Sequence, residues 1–190
     1  RNRSTGSSVA QDHASSVVTG KFQIVAIGSS TGGPKALNKV LNILPADFPC
    51  GIVVVQHISE GFTSGLVEWL DRSSHIKVKE AEENDQIQPG VVHIAPHDFH
   101  MMVVSGGRIR LNKALPIKGH RPSATILFSS VARVYNANSI GVILTGMGED
   151  GATGLVEMRK NGSKTIVQDE ASSVIFGMPK VAIEMGAAEE

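Results

Sequence analysis

Three polar clusters in this chain each follow an apolar run, and their residue types are those of acyl-transfer chemistry. The run "IVAI" ends in "GSSTGG", the run "GIVVVQ" ends at His57, and "GVIL" ends in "TGMGEDG" with Asp150. Gly28 to Gly32 satisfies G-x-S-x-G with Ser30 at its centre, in a strand-turn-helix setting that exposes a hydroxyl on a sharp turn. Helix N-terminal N–H groups beside such a turn suit a developing oxyanion. The same turn lacks the G-x-G-x-x-G register and the Gly-Lys-Ser/Thr of a phosphate loop. A nucleophile is therefore expected rather than a nucleotide. An anion- or nucleotide-binding α/β module without hydrolase activity is the competing reading, and a turn that only caps a helix is the simplest one.

His57 is the base candidate because it stands at a strand end beside a plausible nucleophile. The chain has seven histidines. His93 falls inside a strand-like run and reads as a hydrogen-bonded core residue, and His13 and His75 read as solvent-exposed. His97, His100 and His120 are placed in loops and stay open. For the orienting acid, Asp150 in a glycine-rich turn competes with Glu149, Asp169 and Glu170, and helix capping competes with all of them. His97, Asp98 and His100 form an H-x-x-H pattern that lacks a third obvious ligand, a weak sign of a metal-assisted hydrolase. Cys50 opens the strand that His57 closes, roughly 23 Å away, so it reads as core and not as a thiol nucleophile.

The elements that must position these groups are legible as alternation. Runs rich in valine, isoleucine and leucine ("FQIVAIG", "GIVVVQH", "SIGVILTG", "KTIVQD") are separated by helical patterns ("PKALNKVLNIL", "FTSGLVEWLDRS", "GATGLVEMRKNG"), and a last helix lies near "MPKVAIEM". Strands covered on both faces and joined by helices predict an α/β fold, a doubly wound, mostly parallel sheet with helices on both faces. Ligands in such sheets bind beyond the carboxyl ends of the strands, where the three clusters stand. Pro34 suits a first helical turn and Gly162 a helix end. The segments "IKVKEA", "VVHIAP", "HMMVV" and "RIRLN" are short, and "SGG" reads as a hairpin turn, so a small antiparallel hairpin patch is expected beside the main sheet. "SATILFSSVARVYN" returns to helix.

Composition narrows the function classes. At 190 residues one domain with a substantial core is expected. Eighteen lysines and arginines balance eighteen aspartates and glutamates, and aromatics make up 4% of the chain, so neither a nucleic-acid surface nor an anionic membrane surface is favoured. No apolar stretch approaches the roughly 20 residues of a membrane span, and the start lacks the apolar centre of a signal peptide. With one cysteine, the expectation is a cytoplasmic protein without direct membrane insertion. Residues 1–20, rich in serine and other polar residues, read as a flexible linker, and 21–190 as the folded domain. The first residue is Arg1, so a fragment preceded by another domain is the expectation.

Taken together, "IVAIGSSTGGPKAL", "VVVQHISEGFTSGLVEWL", "VHIAPHDFHMMV", "HRPSATILFSSVA", "VILTGMGEDGATGL" and "VQDEASSVIFGMPKVAIEMGAA" resemble the catalytic domain of the chemotaxis receptor methylesterase family, the CheB type. The resemblance runs from about Phe22 to the end. It implies a serine hydrolase that removes methyl from glutamate methyl esters on cytoplasmic helices of bacterial chemoreceptors, with deamidation of receptor glutamines in some members. It places the nucleophile on Ser30, the base on His57, the acid on Asp150 and backbone oxyanion donors near Thr31 and Met147. It implies no cofactor and no metal, and an N-terminal receiver domain whose phosphorylation relieves inhibition. Two departures are His97 where glycine is common and Thr125 where aspartate is often found. His120, Arg121 and Arg108 are candidates for pairing with acidic receptor residues, against the commoner outcome of solvated charges. Met101, Met102, Met147 and Met178 read as core filler.

Overall fold

The computed structural model describes residues 22–190; the linker-like segment 1–20 and Lys21 lie outside the described residues. Among the described residues, eight strands and five α-helices follow one another as β1 (Ile24–Ser29), α1 (Gly33–Asn42), β2 (Gly51–Gln56), α2 (Thr63–Ser73), β3 (Lys77–Glu80), β4 (Val91–Ile94), β5 (His100–Val104), β6 (Arg108–Asn112), α3 (Ala124–Tyr135), β7 (Ser139–Ile143), α4 (Ala152–Lys160), β8 (Lys164–Val167) and α5 (Met178–Glu184). Six strands form one sheet in the order β3-β4-β2-β1-β7-β8, and every pairing in it is parallel. β5 and β6 form a separate antiparallel pair joined by the turn at Ser105 to Gly107.

The period of two that defines a strand sorts the core into two layers. Ile24 and Ala26 of β1 face one way, onto Leu127, Phe128 and Val131 of α3, Leu155 and Met158 of α4, and Met178 and Ala182 of α5. Val25 and Ile27 face the other way, onto Leu37 and Leu41 of α1 and Leu66 and Leu70 of α2. Both faces of β1 and β2 are thus covered, which is why these strands read as unbroken apolar runs. Met101, Val103 and Ile109 bring the hairpin into the α3 layer. Each fully buried large side chain contributes roughly 1.5–3 kcal/mol relative to an exposed one.

Two expectations about the middle of the chain are corrected. "IKVKEA" and "VVHIAP" become β3 and β4, parallel members of the main sheet, and only "HMMVV" and "RIRLN" form the antiparallel patch. β3 is an edge strand with one wet face, so its sequence alternates as a hairpin strand would. His100 is no loop residue: it opens β5, is fully buried, and its Nε2 lies 3.1 Å from the carbonyl of Leu115.

β1 is the pivot of the arrangement, because the chain builds to β2 on one side of it and later to β7 on the other. The carboxyl ends of β2, β1 and β7 therefore stand side by side, and the three polar clusters emerge together there.

Candidate active site

Ser30 sits in the turn between β1 and α1, and three hydrogen bonds to its backbone groups hold that turn. Its N–H donates to Thr145 O at 3.0 Å, and its carbonyl accepts from Gly33 N–H at 2.8 Å and from the Gln56 side-chain amide at 2.8 Å. Gln56 also donates to the His57 carbonyl at 2.8 Å and accepts from Ser29 Oγ at 2.7 Å. One buried amide thus ties the Ser30 turn to the strand end that carries His57. Gly33 makes room for it, since a Cβ there would fall 2.0 Å from Gln56 Oε1. Likewise a Cβ on Gly146 would fall 2.7 Å from Ser30 Cβ, so the loop after β7 runs directly against the Ser30 turn.

His57 and Asp150, 93 positions apart, are in contact: His57 Nε2 lies 2.9 Å from Asp150 Oδ2. Asp150 accepts three more hydrogen bonds, from Ser123 Oγ at 2.7 Å, Ala124 N–H at 2.7 Å and Thr125 N–H at 3.2 Å. The last two donors belong to the first turn of α3, so the carboxylate caps that helix and sits at the positive end of its dipole. Burial pushes the Asp150 carboxyl up, but hydrogen bonds from His57, Ser123 and Ala124 outweigh it and hold the group well below the usual carboxylate range. An ionised carboxylate only accepts, so the proton between the pair resides on His57 Nε2. That leaves His57 Nδ1 with the lone pair; it is buried and has no hydrogen-bond partner among the described residues.

Ser30 and His57 line the same open depression of about 530 Å³, together with Thr31, Ile58 and Ser59. No hydrogen bond joins the Ser30 hydroxyl to His57 in this structure, a looseness common before substrate arrives. The nitrogen left for the hydroxyl is Nδ1, the reverse of the arrangement in the chymotrypsin type, where Nε2 faces the serine. The amides of Thr31 and Met147 take no part in the backbone hydrogen bonds that close the surrounding turns. Met147 itself is 71% exposed on the loop beside Ser30, so it is not core filler; Met101 and Met178 are fully buried.

Other polar candidates are engaged elsewhere. Glu149 pairs with Lys118 at 2.6 Å, and Asp169 caps its own turn at Ser172 N–H. Arg121 is engaged within the chain: it donates from Nε and Nη2 to Asp98 and from Nη1 to the carbonyls of Lys113 and Ala114. Arg108 donates to Asn84 O. Asp98 is thereby occupied by Arg121 and Lys113 rather than by its histidine neighbours, and among the described residues no group of three His, Cys, Asp or Glu side chains converges as metal ligands would. His93 is buried in β4, and burial pushes its imidazole below the ordinary range while Asp85 opposes this. Burial also pushes the Cys50 thiol up. His120 stacks on His57 with ring centroids 4.0 Å apart and planes 4° from parallel.

Sequence reasoning passed over Gln56 and Ser123. A polar residue closing an otherwise apolar strand was the available signal for Gln56. For Ser123 it was a serine three residues before Ile126, an N-cap spacing that the structure uses at 3.5 Å. At the departure from the family pattern, Thr125 Oγ1 accepts from Gly151 N–H at 2.8 Å and so steadies the Asp150 turn.

The sequence model of CheB methylesterase matches residues 25–190. The chain is 48% identical over 169 residues to the protein-glutamate methylesterase FrzG of Myxococcus xanthus, covering 89% of this chain and 51% of that protein. It is 47% identical over 168 residues to a protein-glutamate methylesterase/protein-glutamine glutaminase of Symbiobacterium thermophilum, covering 88% and 46%. The chain thus spans about half the length of these curated relatives. The crystal structure of the Thermotoga maritima CheB methylesterase catalytic domain superposes with a TM-score of 0.85 at 43% identity, covering 88% of this chain and 90% of that one. A doubly wound sheet with a separate hairpin, shared across nearly the whole of that domain, and sequence likeness over the same span place this chain in the CheB methylesterase family.

Proposed function

We propose that residues 21–190 form the catalytic unit of a protein-glutamate methylesterase, with Ser30 as nucleophile, His57 as general base and Asp150 as the acid that orients and charge-compensates it. The observation that carries this reading is the His57–Asp150 pair at 2.9 Å: the second ring nitrogen of His57 is left unbonded, and His57 lines the same depression as Ser30. The proposed substrates are γ-glutamyl methyl esters on cytoplasmic helices of chemoreceptors. Glutamine side chains on the same helices would react by the same route with ammonia as the leaving group. A cytoplasmic site of action and a receiver domain ahead of the polar segment 1–20 belong to the same proposal. Among the described residues no helix is long and apolar enough to cross a membrane.

The chemistry is acyl transfer in two stages. Ser30 Oγ attacks the ester carbonyl as its proton passes to His57 Nδ1. The resulting imidazolium is held by Asp150 through Nε2–H, and the tetrahedral oxyanion is received by the Thr31 and Met147 N–H groups. Collapse breaks the C–O bond, the proton on Nδ1 goes to the departing methoxide, and methanol leaves. Water then enters, gives a proton to His57, and attacks the glutamyl-serine ester; Ser30 is regenerated and a glutamate carboxylate is released. The arrangement needs no metal or organic cofactor for either stage.

The test is methanol release from methyl-labelled receptor by the intact chain, Ser30→Ala and His57→Ala. Loss of turnover by on the order of 10³ or more in both variants, with unchanged circular dichroism, is expected. Hydrolysis by Ser30→Ala at the unsubstituted rate would remove the assignment.

A further inference from the structure

We propose that His120 is a positioning residue for the catalytic imidazole, holding the His57 ring in the single plane that joins Asp150 on one edge to Ser30 on the other. The inference rests on the reading of His57 as the base. It begins from a shortfall in what holds that ring. His57 has one side-chain hydrogen bond, Nε2 to Asp150, and its Nδ1 has none. One in-plane contact fixes a point on a ring and leaves its tilt free. Proton transfer to Nδ1 needs the lone pair aimed at the serine hydroxyl, so something must fix the face as well.

His120 supplies that face. Its ring lies 4.0 Å from the His57 ring and 4° from parallel, and among the described residues no side-chain hydrogen bond turns it elsewhere. The loop that carries it is braced where it matters. Ile117 N–H donates to His120 O at 3.0 Å and His120 N–H to Ile117 O at 2.9 Å, closing a tight turn through Lys118 and Gly119, both at positive φ. The next residue, Arg121, fastens the loop to Asp98 and to the carbonyls of Lys113 and Ala114. Lys118 reaches across to Glu149, the neighbour of Asp150, at 2.6 Å. The His120 plate and the Asp150 carboxylate are thereby referred to one frame.

The charge state suits the role. Burial and the adjacent His57 hold the His120 imidazole below its ordinary range, with Asp150 opposing weakly, so a neutral ring faces His57 when the latter becomes an imidazolium. A second cation at 4.0 Å would oppose that step. A planar apolar ring would serve the stack equally well, and this separates the proposal from general acid–base work by His120.

The experiment compares His120→Ala and His120→Phe with the unsubstituted chain for methanol release from a methyl-esterified receptor fragment. Nitrogen-15 spectra of the histidine rings accompany the kinetics. His120→Ala is expected to lower kcat by about ten- to a hundredfold, the scale of a misaimed catalytic group, with KM little changed. His120→Phe is expected to stay within about threefold of the parent, because the stacked plane is restored. The His57 ring should show a fixed Nε2–H tautomer in the parent and in His120→Phe, and exchange between forms in His120→Ala. A folded His120→Ala with parental kcat and a fixed His57 tautomer would overturn the proposal, as would a Phe variant no better than Ala. Ser30→Ala and His57→Ala run alongside: if both keep their activity, the base assignment fails and takes this proposal with it. If they lose it while His120→Ala does not, only this proposal fails.

Discussion

Replacing Asp150 by asparagine isolates the charge of the acid from its hydrogen bonds. In the native arrangement Oδ2 receives His57 Nε2–H and Ala124 N–H, and Oδ1 receives Ser123 Oγ–H and Thr125 N–H. The asparagine NH₂ must take one of these two places. At the Oδ2 position it would confront a fixed backbone donor and the His57 ring. At the Oδ1 position it meets Ser123, whose hydroxyl turns round to accept, and only the Thr125 N–H, the longest of the four at 3.2 Å, loses its acceptor. The amide oxygen therefore stays on His57, and the loss is electrostatic. Imidazolium and carboxylate charge centres about 4 Å apart, in a site where the two side chains are 11% and 3% exposed, attract by about 4 kcal/mol at an effective dielectric near 20. In the proposed mechanism the imidazolium is generated as the Ser30 proton moves to His57, so this attraction appears in kcat: a fall of about 10³ with KM nearly unchanged. Steady-state methanol release from an esterified receptor fragment measures both constants. A variant within about tenfold of the parent would show that Asp150 does not compensate charge on His57, and the assignment of its role would have to be withdrawn.

Gly146→Ala would place a methyl 2.4 Å from Met178 Sδ and 2.7 Å from Ser30 Cβ, so the loop must back away from the Ser30 turn. A stability loss of about 1–3 kcal/mol by calorimetry is expected, with kcat at least about tenfold lower; normal values for both would mean that the two turns need not touch. Acid should destabilise the fold in two steps. His93, held below its ordinary range by burial, binds fewer protons folded than unfolded, so its contribution is complete above the unfolded value near 6.5 and is lost as pH falls through it toward the folded one. Asp150, also depressed, contributes fully above about 3.9 and loses that contribution as pH falls further. Urea midpoints between pH 8 and 5 should fall less steeply for His93→Phe than for the parent, and equal slopes would exclude His93 as the source of the first step.

The central strands were legible because both their faces are covered: "IVAIG" and "GIVVVQ" have no polar side to confuse with solvent exposure. β3 was misplaced for the opposite reason. Its four residues "KVKE" carry the alternation of an edge, and alternation alone does not tell an edge of the parallel sheet from a hairpin. At the site, the rule that chemistry gathers at strand ends selected Ser30, His57 and Asp150, and the fold puts the last two in contact and the first on the same depression. The stacked His120 was beyond such reasoning, since its position depends on an Arg121 clamp and a two-residue turn. Neither leaves a period in the sequence. Arg121 itself reads from sequence as a spare surface cation, because nothing local announces the two carbonyls that consume it.

Asp150 has a duty besides the proposed chemistry, and this bears on how relatives without that chemistry would look. By receiving the first amides of α3, it stabilises a helix that packs on the central strand, so its loss would loosen the interior as well as remove the acid of the proposed chemistry. Ser30 carries no such duty, since no hydrogen bond of the described fold uses its hydroxyl. Under mutational drift the aspartate should outlast the serine. An aspartate at this place is accordingly poor testimony that a diverged copy is still an enzyme, and a serine at position 30 is much better testimony.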